Sequence, residues 1–257
     1  MYNNWDLFIQ RFELLSKIDL RAYKRPQMER RINSFMDSIN VGDYKSFLEI
    51  LSRNSDIYNK FLEHITINVS EFFRNMDQWV ILQKQVLPLL LKEKKKIKAW
   101  SAGCSTGEEA YSLAMLCMEK NIDVGDGILA SDLDSEVLEK ASLGIYSARS
   151  AQSLPSNYRD KYFSLEGNYY RINNNVKKKV NFRRQDLLKD TFTKGFDLIL
   201  CRNVVIYFTE ESKKVLYRKF SDCLLTGGVI FIGSTEQIFQ CHELGLKPIA
   251  TFFYQKI

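Results

Sequence analysis

Histidine is nearly absent: the chain has two, His64 and His242, in 257 residues. A Ser-His-Asp triad or a His-rich metal centre has little to be built from, and the chemistry should not rely on imidazole as general base. Cysteine is as sparse in information. Cys104, Cys117, Cys201, Cys223 and Cys241 are scattered with no C-x-x-C pair, which argues against a disulfide framework and against a zinc site. No metal is expected. No run approaches the roughly 20 apolar residues that a membrane span needs. The opening Met1-Tyr2-Asn3-Asn4-Trp5-Asp6 lacks the basic-then-apolar order of a signal peptide, so a cytoplasmic location is the expectation. With 45% hydrophobic and 26% charged residues, the composition is that of a globular protein able to bury a substantial core.

The charge that is in excess is basic and uneven, with a net value of +6. Arg21 to Arg31 holds five basic residues against Glu29, Arg171 to Arg184 six and no acid, and Lys92 to Lys98 five against Glu93. Each patch alone is as well read as solvated surface. The functional alternative is an acidic partner: nucleic acid, membrane surface or protein.

Residues 1–68 are helical in pattern. Met28, Ile32, Phe35, Met36 and Ile39 recur at helical spacing after Pro26, a residue suited to a first helical turn. Gly42-Asp43 interrupts, and Tyr44 to Leu51 and Ile57 to Ile65 resume the period. From Lys96 the rhythm changes. Ile97 to Ser101, Gly127 to Ser131, Phe196 to Cys201 and Val229 to Gly233 are short apolar runs, separated by helical stretches at 110–118, 135–143 and 210–225. Strands alternating with helices predict a parallel, doubly wound sheet over 69–257. Pro248 to Tyr254 reads as one further strand. Residues 146–182 fit the alternation poorly. Tyr169 to Ile172, the turn-forming Asn173-Asn174-Asn175, Val176 and Val180 suggest a small β-rich insertion, a hairpin or three short strands.

The strongest local signal is Trp100-Ser101-Ala102-Gly103-Cys104-Ser105-Thr106-Gly107-Glu108-Glu109 after the first strand. A glycine loop between strand and helix, here around Gly103, lets backbone approach a ligand at the sheet's carboxyl edge. It is not a P-loop, since Glu follows Gly107, and it does not match G-x-G-x-x-G. Two acids at the helix start repel a pyrophosphate, although they also suit the helix dipole as plain caps. A loop tolerant of negative charge favours a ligand without phosphates, such as S-adenosylmethionine with its sulfonium and ammonium. Asp132, closing the second strand, stands where an acid accepts from ribose hydroxyls. Asp186 precedes the third strand and is placed to meet an adenine amino group. Singly each is a cap or a surface acid; together at successive strand ends they indicate a nucleoside cofactor without naming the reaction.

Ile67-Asn68-Val69-Ser70-Glu71-Phe72-Phe73-Arg74, the Gly103 to Glu109 loop, Ala130-Ser131-Asp132-Leu133-Asp134 and Cys201-Arg202-Asn203-Val204-Val205-Ile206-Tyr207-Phe208 resemble the chemotaxis receptor methyltransferase family, CheR. The four segments occur in the family's order, and the resemblance extends over nearly the whole chain. The resemblance implies a small all-α N-terminal domain, then an α/β, Rossmann-like class I methyltransferase domain with a β-rich insertion. It also implies methyl transfer from S-adenosylmethionine, leaving S-adenosylhomocysteine, to glutamates on the cytoplasmic helical domain of a receptor. Carried onto this sequence, it gives cofactor contacts from Asn68, Ser70, Arg74, Glu109, Asp132, Asp186, Leu187, Arg202 and Asn203, with Arg74 and Tyr207 facing the transferred methyl. Many relatives have threonine where Ser70 stands, and some have asparagine for Asp186; both changes keep the hydrogen-bonding group. For the basic N-terminal stretch it implies receptor contact, through Arg30 and Arg31.

The chemistry suits the composition. A glutamate carboxylate, with an ordinary pKa of about 4.3, is already ionised at neutral pH and needs no general base. The enzyme must align carboxylate, methyl carbon and sulfur and exclude water. Arg74 or Arg202 is suited to grip one carboxylate oxygen, and Tyr207 to orient the group. The bland readings are a structural ion pair for Arg74 and a core aromatic for Tyr207. The short turn Leu165 to Tyr169 suggests that no receptor C-terminal tether is needed. Two rivals remain at this level. An RNA methyltransferase would use the basic patches on phosphate, but the chain has no Asn-Pro-Pro-Tyr-like tetrapeptide. A non-catalytic cofactor sensor would not need Arg74, Asp132 and Tyr207 together. Nucleic acid, membrane insertion and obligate oligomers are not expected, which leaves a monomer.

Overall fold

Helix signals in the first quarter translate directly into structure. The computed structural model describes residues 4–66, 68–92 and 94–257. Met1 to Asn3, Ile67 of the first motif and Glu93 of the Lys92 to Lys98 patch lie outside the described residues. Asn4 caps α1 (Trp5–Ser16) by accepting from the Leu7 amide at 3.1 Å. Pro26 sits in the first turn of α2 (Arg25–Ser38). Asp43, at the predicted break, accepts from the Ser46 amide at 2.9 Å and starts α3 (Tyr44–Arg53); α4 (Ser55–Thr66) follows. Their apolar faces meet in a phenylalanine cluster. Phe47 lies edge-on to Phe61 at 4.9 Å, Phe12 to Phe61 at 5.5 Å, and Phe35 joins Phe61 at 5.2 Å. Each buried phenylalanine contributes about 1.5–3 kcal/mol, enough in sum to hold four short helices. Residues 207–214 cluster with this helical unit rather than with the rest of the chain.

The second unit takes Val69–Ile206 and Val215–Ile257. It opens with α5 (Met76–Ile81), a π turn (Leu82–Val86) and α6 (Leu87–Leu90). Then come β1 (Ala99–Ala102), α7 (Glu108–Glu119), β2 (Ile128–Asp132) and α8 (Ser135–Leu143). β3 (Ile145–Ser147), α9 (Ser156–Tyr162), β4 (Phe163–Glu166), β5 (Tyr169–Ile172) and α10 (Asn174–Lys177) follow. β6 (Val180–Arg184), β7 (Phe196–Cys201), α11 (Glu210–Cys223), β8 (Leu224–Ile232), β9 (Leu246–Ala250) and β10 (Phe253–Lys256) complete the order. The main sheet runs β6-β2-β1-β7-β8-β10-β9, and β3-β5-β4 form a separate antiparallel sheet. Strands β6, β2, β1, β7 and β8 are parallel; β10 is antiparallel to both β8 and β9. The central strands are apolar on both faces, as sheets covered on both sides require.

Two expectations change. Pro248 to Tyr254 is not one strand but the turn of the β9–β10 hairpin, with Phe252 in the left-handed region at φ 69°. No glycine or asparagine announces that turn. Val180 to Phe182, read as the tail of the insertion, begin a strand of the main sheet that runs to Arg184 and pairs with β2 from Ile128↔Val180 to Asp132↔Arg184. It is an edge strand, so its outward positions are polar and its alternation is faint.

Candidate functional site

Strand order reverses between β1 and β7, and ligands of open α/β sheets bind outside the carboxyl ends at such a point. Four of the predicted residues follow those ends: Gly103 after β1, Asp132 at the end of β2, and Arg202 and Asn203 after β7. Gly103 has φ 77°, and a β-carbon there would come within 2.5 Å of Val204 Cγ2. Its amide and that of Cys104 both donate to the Ser131 carbonyl, at 2.8 and 2.9 Å, which folds the loop back onto β2. Gly107, at φ 91°, precedes α7. Phe73, Asn75, Ser105 and Asn203 are also left-handed. Non-glycine residues in that region are held there by their surroundings and concentrate at ligand sites.

Both acids at the start of α7 turn inward. Glu108 is 4% exposed and accepts from Thr106 Oγ1 at 2.7 Å and from the Ser70 hydroxyl. Glu109 accepts from Ser101 Oγ at 2.8 Å and faces Arg202 Nη1 at 3.5 Å. Burial pushes both carboxyls above the usual range, and Arg202 opposes that for Glu109. Asp132 is raised for the same reason; its oxygens accept from the Ser105 amide at 2.8 Å and the Asp134 amide at 3.1 Å. Both glutamates stand in the first turn of α7, as dipole caps would, and turn inward to line the loop with buried carboxyl groups.

Arg202 differs from the expectation of a residue gripping substrate. Its side chain is 2% exposed. Nη2 donates to the Arg74 carbonyl at 2.8 Å, Gln78 Oε1 at 2.9 Å and Asn75 Oδ1 at 3.2 Å, while the guanidinium lies 4.5 Å from the Phe231 ring. It fixes the Arg74–Gln78 turn and Glu109, and its buried Nε has no hydrogen-bond partner among the described residues. The Arg74 side chain, by contrast, is half-buried and makes no ion pair among the described residues. Its turn is set by Trp79 Nε1, which donates to the Arg74 carbonyl at 3.1 Å, and by the Phe73 amide, which donates to Ser112 Oγ at 3.0 Å.

Asp186 lies just past β6, and its Oδ1 accepts from the Leu188 and Lys189 amides at 2.8 and 3.2 Å. It caps a turn that contains the buried Leu187. Lys219, which sequence reasoning missed, holds that turn from α11 by donating to the carbonyls of Leu187, Leu188 and Asp190 at 2.9, 3.2 and 2.7 Å. Glu236 was missed as well. Buried after β8, it accepts from the amides of Gly233 at 2.6 Å and of Asn203 and Val205 at 3.1 Å each, and so sets the loop that presents Asn203. A glutamate three residues after a glycine at a strand end was the available signal. Beside it opens a cleft of about 660 Å³, lined by Ser234 to Gln237, Pro248 to Phe252 and Tyr254.

The remaining predicted residues fall in the helical unit. Asn68 Nδ2 donates to Thr66 Oγ1 at 2.9 Å. Tyr207 accepts through its carbonyl from the Lys24 amide at 2.9 Å. Arg30 is exposed. Arg31 is not the surface contact expected of it: it is half-buried, and its guanidinium donates to the His64 carbonyl while His64 Nε2 meets the Arg31 carbonyl at 3.1 Å. One helical step from Arg30 turns Arg31 toward α4.

Ser105 Oγ and Asn203 Oδ1 are buried with no hydrogen-bond partner among the described residues. Together with the Glu109 and Asp132 carboxylates they give a polar, anionic cradle that suits a cationic nucleoside and not a diphosphate. No group of three or more metal-ligating side chains occurs among the described residues. Fold and cradle define a Rossmann-like methyltransferase that uses S-adenosylmethionine.

Residues 68–250 match the CheR methyltransferase SAM-binding domain and residues 3–66 its all-alpha domain. A chemotaxis protein methyltransferase of Listeria monocytogenes is 45% identical over 241 residues, 93% of this chain and 92% of that protein. One from Borreliella burgdorferi is 34% identical, covering 86% and 83% respectively. The chain belongs to the CheR methyltransferase family.

Proposed function

We propose that this enzyme esterifies glutamate side chains on the cytoplasmic helical domain of a chemotaxis receptor. The observation that carries the reading is the contrast between two arginines in a site without histidine. Arg202 is buried with its Nη2 spent on three protein acceptors, whereas the half-buried Arg74 keeps its guanidinium free of ion pairs among the described residues. The cofactor would supply an electrophilic methyl group on a sulfonium. Asp132 is suited to the ribose hydroxyls, Glu109 and the Ser105 and Asn203 groups to the amino-acid end, and the Asp186–Leu187 turn to the adenine. Asn68 and Ser70 complete the contacts. Arg74 holds one oxygen of the incoming glutamate through a charge-assisted hydrogen bond and leaves the other as nucleophile. Tyr207 orients the group, and no proton has to be removed because the carboxylate is ionised at neutral pH.

The basic stretches support a local acidic protein partner better than a polyanion. Arg21 pairs with Glu13 and Asp19, and Arg25 with Glu29 at 3.1 Å. Arg171 pairs with Glu166 at 2.7 Å, and Lys177 caps the Leu143 carbonyl. Arg30, exposed on α2 and without an ion pair among the described residues, remains to meet an acidic helix. The test is incubation with methyl-labelled cofactor and receptor cytoplasmic fragments. Label released by mild alkali as methanol is expected; alkali-stable label would sink the glutamate assignment.

A further inference from the structure

The segment that carries Tyr207 is held by a short backbone ladder that no part of the cofactor cradle explains. Tyr23 and Phe208 form an antiparallel bridge. On one side of it the Lys24 amide donates to the Tyr207 carbonyl at 2.9 Å, and on the other the Thr209 amide donates to the Ala22 carbonyl at 2.9 Å. The Tyr23 and Phe208 rings pack edge-on at 5.0 Å, and Phe208 is 4% exposed. The ladder is anchored at both ends. Upstream, the Lys24 carbonyl accepts from the Gln27 and Met28 amides at 3.1 Å each and so belongs to the first turn of α2. Downstream, Thr209 Oγ1 accepts from the Ser212 amide at 3.2 Å and starts α11. Nearly two turns into α2, the Arg31 guanidinium is fixed to the His64 carbonyl.

Two peptide hydrogen bonds and an aromatic pair thus set the backbone of one residue whose side chain the reaction uses. We propose that Ala22–Lys24 is a positioning element for Tyr207, so that the helical unit, beyond receiving a partner on α2, fixes the backbone of the tyrosine that orients the substrate carboxylate. The inference rests on the role given to Tyr207 under the proposed function. A misplacement of about 1 Å at a reacting group costs on the order of 100-fold in rate, so a loosened ladder should be read in kcat and not in cofactor affinity.

The local backbone offers a clean perturbation. Lys24 has φ −61° and Tyr23 has φ −103°, ψ 154°. Proline at 24 therefore fits without strain and removes only the amide that holds Tyr207. Lys24→Pro should lower kcat by about tenfold to 100-fold, with the Kd for S-adenosylmethionine unchanged by calorimetry. Lys24→Ala, which keeps the amide, should restore turnover. Phe208→Leu is the second variant and should lower kcat in the same way if Lys24→Pro does not fold. Tyr207→3-fluorotyrosine gives a readout that needs no receptor: its fluorine resonance should shift with Lys24→Pro and not with Lys24→Ala. Wild-type kcat in folded Lys24→Pro or Phe208→Leu would overturn the proposal, as would equal losses in Lys24→Ala and Lys24→Pro. A shifted resonance in an enzyme that methylates no receptor would leave the ladder standing and remove the proposed substrate instead.

Discussion

Replacing Arg202 by methionine tests the claim that this arginine is structural. The substitution keeps an unbranched apolar side chain and removes a charge that lies over the Phe231 ring and is 2% exposed. It strands Glu109, which keeps the bond from the Ser101 hydroxyl, and frees acceptors on Arg74, Asn75 and Gln78. At 3.5 Å and an effective dielectric of about 20 the Coulomb attraction is roughly 5 kcal/mol, most of it offset by desolvation of the two ions. Breaking a buried pair by removing one partner costs about 3–5 kcal/mol. Glu109→Gln is milder, about 1–2 kcal/mol, because Arg202 keeps three acceptors and the amide can still accept from Ser101. In the double variant the stranded charge is gone, so its cost should fall short of the sum by about 1–3 kcal/mol. Urea denaturation of the ligand-free protein measures all three. Additivity within about 0.5 kcal/mol would show that the two groups do not interact, and the account of the cradle would fail.

Gly103→Ala forces a left-handed alanine and a 2.5 Å approach to Val204; a loss of about 2–4 kcal/mol in thermal or urea unfolding is expected. Glu236→Gln turns an amide donor toward one of three backbone amides. It should weaken cofactor binding about tenfold in calorimetry through the Asn203 loop, with a stability cost of about 1–3 kcal/mol. Asp132 has a folded pKa raised by burial, so its contribution to ligand-free stability is fully present below the unfolded value of about 3.9 and is lost as pH rises through the folded pKa. The stability difference between wild type and Asp132→Asn should accordingly move toward the variant from about pH 4.5 to pH 7. A gap constant with pH, read from urea midpoints, would contradict the raised pKa.

Much of this was legible because the deciding signals are local. Proline at the start of α2, Asp43 before α3 and the Gly103–Gly107 loop each fix backbone within a few residues. The apolar strands β1, β7 and β8 announce a covered sheet by composition. Illegible were features whose partners are distant backbone groups. Glu236 reaches Asn203 across 33 residues, and Lys219 reaches the Leu187 turn across 32. For Glu236 the only local trace is its place three residues after a strand-end glycine, and Lys219 has none. Arg202 was read as a cation for cofactor or substrate and Arg31 as one for a partner, because charge is visible in a sequence and the carbonyls that capture it are not. The β9–β10 turn was hidden because Phe252 takes a conformation usually reserved for glycine or asparagine.

The central claim is that the enzyme positions an ionised carboxylate and does not deprotonate it. The pH dependence of kcat at saturating cofactor and receptor fragment tests this most directly. The account predicts a kcat that is flat from about pH 7 to pH 9, since the substrate glutamate is fully ionised throughout. A kcat rising about tenfold per pH unit across that range would reveal an obligatory base and contradict the account.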